Sequence, residues 1–84
     1  MESKENRLAL IGIIIENPGH VDTMNSLLSQ YGEFIIGRMG IPYNKRGVSI
    51  ISVAIDAPAD TISALSGKLG ALPGVNTKTI YSKT

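Results

Sequence analysis

The chain has no cysteine and a single histidine, His20. Without thiols there is neither a disulfide framework nor a thiolate metal site, and one imidazole does not build a histidine-rich site within one chain. The sequence therefore predicts no metal and no cofactor, and it leaves the redox compartment open. An excess of one charge is missing too: eight basic and seven acidic residues leave a net +1, so nothing electrostatic favours direct nucleic-acid binding or an anionic membrane. The longest apolar stretch, Leu8 to Ile15, is less than half of the roughly 20 residues of a spanning helix. No small-residue cleavage site follows it. Residues 1–6 are polar and charged without periodicity, and read as a flexible N-terminal tail. A soluble, cytoplasmic protein is the expectation.

What is present is an apolar chain of 84 residues with 43% in the hydrophobic set, enough for one domain, placed at 7–82. Arg7 to Glu16 is dense in β-branched residues and closes at Asn17-Pro18-Gly19, which predicts a strand and a turn. Val21, Met24, Leu27, Leu28 and Tyr31 recur at helical spacing, with Gly32 expected as a left-handed cap. Glu33 to Ile41 reads as a second strand weakened by Gly37 and Gly40, Pro42 through Gly47 as a hairpin turn, and Val48 to Ala57 as a third strand. Pro58 suits the first turn of a helix and Asp60 its positive end, the helix carrying Ile62, Leu65, Leu69 and Leu72 and ending near Ala71. Val75 to Tyr81 alternates and forms an edge strand. The order predicts an α+β, ferredoxin-like βαββαβ sandwich: a four-stranded antiparallel sheet, the first and third strands central, two helices on one face.

Half of each strand in such a sheet faces water and should be polar. Here both sides are apolar. The bulkier sets, Ala9, Ile11, Ile13, Ile15 and Ser49, Ile51, Val53, Ile55, are assigned to the helix-covered core. Leu8, Leu10, Gly12 and Ile14 with Val48, Ile50, Ser52 and Ala54 are then assigned to the open side, the opposite register being the alternative. Exposed apolar patches of this kind are seldom left bare, and a symmetric oligomer that uses one patch twice, a dimer or tetramer, is the simplest cover. Shielding by the termini is the bland alternative.

Catalytic chemistry is hard to find. Asp56 and Asp60 bracket a helix start, where dipole and capping account for them. Ser66-Gly67-Lys68 lies within a helix and lacks a phosphate-cradling loop. Small phosphatases of this topology need an arginine in the loop after the first strand, where this chain has Glu16-Asn17-Pro18-Gly19-His20. RNA-recognition domains stack bases on aromatic side chains of the central strands, and here those strands have none. The predicted ligand site is the turn Asn17, Pro18, Gly19, His20, which presents helix-start N–H groups to a carboxylate. Arg38 is a second anion contact or an edge-strand gatekeeper.

Glu16-Asn17-Pro18-Gly19-His20-Val21 with Met24, Leu27, Leu28 and Tyr31-Gly32 resembles the opening of an ACT domain, and Leu72-Pro73-Gly74-Val75 resembles the approach to its fourth strand. Arg38-Met39-Gly40-Ile41-Pro42 and the segment Asp60 to Gly70 are similar to small ACT-like proteins assigned to the regulation of iron-only hydrogenase systems. The resemblance implies a ferredoxin-like fold, side-by-side or face-to-face oligomers, and an amino acid bound between subunits near the loop after strand one. ACT modules are usually joined to an enzyme or a DNA-binding domain, and this chain carries neither, so a transcriptional output is implied without a means. The effector domains of nickel-responsive repressors share the topology but need His and Cys ligands absent here. The expectation is a non-enzymatic homo-oligomeric regulator that senses a small carboxylate or amino acid. The alternative is a ligandless module that docks a partner protein on its sheet or edge strands.

Overall fold

The computed structural model describes residues 5–16 and 18–83. In the first strand, β1 (Asn6–Ile15), every second side chain from Ala9 to Ile15 is buried and those between are exposed, the period of a pleated strand. A 3-10 turn over Pro18–His20 leads into helix α1 (Val21–Gln30), which buries Met24 and Leu28, one helical turn apart. A second 3-10 turn, Gly32–Phe34, precedes β2 (Ile35–Tyr43). Then come β3 (Val48–Pro58), helix α2 (Ala59–Gly70) and β4 (Val75–Tyr81). Spatial order is β2-β3-β1-β4, all neighbours antiparallel. This is the expected ferredoxin-like arrangement, with β1 and β3 central.

One apolar layer joins the sheet to both helices. Ile11, Val53, Ile55, Met24, Ile62, Leu65 and Leu69 have no exposure, and each such side chain contributes about 1.5–3 kcal/mol by leaving water. The predicted assignment of faces is the observed one: Ile11, Ile13 and Ile15 point to the helices, and Leu8, Leu10 and Ile14 do not. Smaller contacts tie the margins. Lys68 Nζ donates to the Tyr31 hydroxyl at 2.9 Å, and Thr79 Oγ1 donates to Ser66 Oγ at 3.1 Å. The Arg7 guanidinium lies 4.8 Å from the Tyr81 ring centroid.

Three local expectations need correction. Gly32 is not a left-handed cap, since the only described residues at positive φ are Gly47 and Gly74. Instead α1 tightens: Tyr31 N–H bonds to Leu28 O at 3.1 Å and Phe34 N–H to Tyr31 O at 2.9 Å. That turn takes up Glu33 and Phe34, so β2 begins two residues later than predicted. It also runs on through Pro42 to Tyr43, because an edge strand leaves one side of its ladder unpaired and tolerates proline. Pro58 is not in the first turn of α2; it caps the helix with extended backbone (φ −59°, ψ 148°).

The two left-handed glycines sit where the chain reverses. Gly47, φ 63°, closes the β2–β3 hairpin. Gly74, φ 74°, is the third residue of a turn in which Val75 N–H bonds to Leu72 O at 3.1 Å. Pro73 followed by a glycine at positive φ is a type II turn. It is fastened to β1 by Glu16 N–H donating to Gly74 O at 2.7 Å.

Candidate functional site

The side of the sheet opposite the helices is the candidate site. Registers arrange it in rows across the four strands. One row is Ile41, Ile50, Ile14, Asn76; the next is Met39, Ser52, Gly12, Lys78; the next carries Ala54, Leu10 and Ile80. A β-bulge between Ile35 and Gly37 shifts the register of β2. Ile35 packs on the core, while Ile36 lines an open-face depression with Leu8, Leu10 and Ile80.

Nine large hydrophobic side chains among the described residues are exposed: Leu8, Leu10, Ile14, Ile36, Met39, Ile41, Tyr43, Ile50 and Ile80, ranging from 43% (Leu10) to 73% (Met39). All nine lie on this one face. The charged groups beside it stand toward its margin: Asp56 opposite Leu8, Glu16 and Arg46 at the hairpin end, Lys78 on the edge strand β4. An apolar centre inside a polar rim is the anatomy of an interface. Four shallow depressions run across it, the one over Gly12 measuring about 380 Å³.

Of the residues predicted for this face, Leu8, Leu10, Gly12, Ile14 and Ile50 are exposed, and Val48, Ser52 and Ala54 are half-buried. The contribution of β2 was missed, although Met39, Ile41 and Tyr43 alternate in the sequence. Of the predicted ligand turn, Asn17 lies outside the described residues. Pro18 to His20 form the 3-10 turn, Gly19 is exposed, and His20 is half-buried at the N-cap of α1 without a side-chain capping bond. Arg38 is exposed on β2, opposite Val53 and so level with Ile11. The turn follows Ile15, four residues farther along β1 and two strands over, a separation on the order of 15 Å from the strand rise and spacing. The fold does not gather Arg38 and the turn into one site.

Among the described residues no group of three or more His, Asp or Glu is placed to hold a metal ion. No helix among them is long and apolar enough to cross a membrane.

Residues 7–79 match a family described as "TM1266-like: Iron-only hydrogenase system regulator, putative". Among solved structures, the chain is similar to the uncharacterized protein TM1266 from Thermotoga maritima, at 35% identity over 94% of this chain and 100% of that one, with a TM-score of 0.90. It shares its fold with CPII, a nitrogen regulatory PII-like protein from Thiomonas intermedia K12. Two structures of CPII, both bound to ADP, AMP and bicarbonate, align at 19% and 16% identity, covering 90% and 98% of this chain and 94% of each CPII chain, with TM-scores of 0.50 and 0.51. No curated protein matches. With 73 consecutive residues matched, from Arg7 to Thr79, and TM1266 superposing over its whole length, the chain belongs to the TM1266-like family.

Proposed function

We propose that the protein is a non-enzymatic, homo-oligomeric regulatory module of an iron-only hydrogenase system, related to ACT modules, whose working surface is the open face of the sheet. The observation that carries this reading is the collection of all nine exposed large hydrophobics on that one face. Four strands at ~4.8 Å and about eight residues at ~3.3 Å give a projected area on the order of 500 Å² per copy. Two copies together thus reach the ~1,000 Å² that a specific interface needs before side-chain relief is counted. A surface of this size lies within the range of the largest patch on a typical monomer, about 300–600 Å², and patches of that size are often functional. A second copy presents the same apolar centre and the same rim, and a closed two-fold pair uses the patch twice.

Light scattering at tens of micromolar should give a multiple of the chain mass; a strict monomer refutes the oligomeric reading. Deleting the gene should change hydrogenase activity or transcript level in cells. If both stay constant, the regulatory assignment falls.

In this reading a small carboxylate or amino acid biases the assembly, since a ligand shifts an equilibrium by its differential affinity for the two states. The resemblance to ACT modules favours the turn containing Gly19 and His20 as its site. A second reading, a ligandless module that docks a hydrogenase-related protein, draws on the outer edges of β2 and β4, each available for strand addition. Pull-down with a proline placed in β4 at a position whose amide points away from β1 separates the two. An edge-docked partner would lose its main-chain hydrogen bonds, while the open-face side chains of the homo-oligomer are kept.

A further inference from the structure

Gly12 stands in the middle of the central strand β1, opposite Ser52 on one side and Lys78 on the other. Nothing in the backbone demands glycine there. Its φ is not positive, and a Cβ built on it would meet nothing nearer than the Lys78 carbonyl oxygen at 3.8 Å, an ordinary contact. Glycine inside a strand weakens it, and commonly marks a bulge or a place where a ligand or another backbone comes close. There is no bulge, since both registers run unbroken through Gly12.

The missing side chain instead deepens the depression of about 380 Å³, with Gly12 as its floor and Ile14 and Ile50 as apolar walls. Ser52, Asn76 and Lys78 add a hydroxyl, an amide and an ammonium. That volume falls in the range of small-molecule sites, about 300–1,000 Å³. No side-chain hydrogen bond or ion pair among the described residues engages Lys78.

We propose that this depression binds a small amphipathic monocarboxylate. Its carboxylate meets Lys78, its branched aliphatic body lies over Gly12 between Ile14 and Ile50, and a second copy of the chain forms the roof. The roof rests on the oligomeric reading above. When two such faces stack, the isoleucine and leucine rows meet first. The centre of the row between them, Gly12 and Ser52 with Met39 and Lys78 at its ends, stays hollow because neither central residue fills its share of the gap between sheets. A ligand there is shielded from water, where the attraction between carboxylate and ammonium is strengthened.

The full chain is titrated calorimetrically in carboxylate-free buffer with 4-methylpentanoate, its neutral amide and acetate, with molar mass measured in parallel. The acid should bind and the amide and acetate should bind far more weakly. Lys78→Gln should weaken the acid about tenfold, the scale of one charge-assisted hydrogen bond, and Lys78→Arg should keep most of the affinity. Gly12→Val, which fills the floor with a residue suited to a strand, should abolish binding, whereas Gly19→Trp at the helix-one turn should leave it intact. An oligomer that fails to bind the acid, binds acid and amide alike, or keeps its affinity in both Lys78→Gln and Gly12→Val overturns the proposal and leaves self-association standing. A monomer that binds with this pattern supports the site and removes only its roof; a monomer that does not bind removes both.

Discussion

Replacing Ile50 with glutamate separates the folding of one copy from the covering of its open face. Ile50 is 45% exposed in the single chain, flanked by Ile14 and Ile41 across the registers. In an isolated copy the glutamate points to water, and stability should change by no more than about 1 kcal/mol. In a face-to-face pair the same change forgoes about 1 kcal/mol of apolar burial, half of a full isoleucine side chain. It also strands a carboxylate in an apolar contact at a cost of several kcal/mol. Taking ~3 kcal/mol per copy, the pair loses ~6 kcal/mol, about four decades in dissociation constant. Light scattering across a concentration series reads the assembly, and urea unfolding of the dissociated protein reads the fold. Ile50→Glu should be monomeric where the wild type is not, with a near-native urea midpoint once both are dissociated. Identical masses for Ile50→Glu and wild type at every concentration would refute the reasoning.

Further outcomes follow from the same packing. Ile11→Ala opens the fully buried side of β1 and should cost about 2–5 kcal/mol in urea unfolding, several times the effect of Ile50→Glu on the isolated fold. Gly74→Ala places a Cβ at φ 74° and should destabilise by about 1 kcal/mol or more. Gly12→Ala, with ordinary backbone and room for a Cβ, should be neutral or stabilising in the same assay. Lys68→Met removes an exposed hydrogen bond to Tyr31 and should cost at most about 1 kcal/mol.

Much of the architecture was legible because the two central strands alternate without interruption. On β1 and β3 the small residues Gly12, Ser52 and Ala54 fall on one side and Ala9, Ser49 and Ala57 on the other, so side-chain bulk favoured one register and left the opposite one open; the structure adopts the favoured one. Helix α2 was equally plain from Ile62, Leu65 and Leu69. Strand β2 was less so. Its period-two pattern holds from Gly37 to Tyr43, but the bulge at Ile36 inserts one residue, so that counting back from Met39 places Ile35 on the wrong face. A bulge is set by how two strands meet, and no local residue pattern announced it here. Gly32 misled for a related reason. Glycine permits a left-handed cap without requiring one, and the burial of Phe34 and Ile35 against the core goes with a 3-10 continuation. For the site, the sequence supplied the apolar composition of the open face. Only the registers show that Lys78, Gly12 and Ser52 share a row, because they come from three strands separated by both helices.

The absence of native cysteine permits a direct probe of the open face. Ser52→Cys places one thiol at its centre, and Ser29→Cys, on the exposed side of α1, serves as the control. If a second copy covers the sheet, the rate of thiol labelling at position 52 should fall steeply as protein concentration rises through the association range, while position 29 stays constant. A labelling rate at position 52 that matches position 29 and is indifferent to concentration would contradict the covered face.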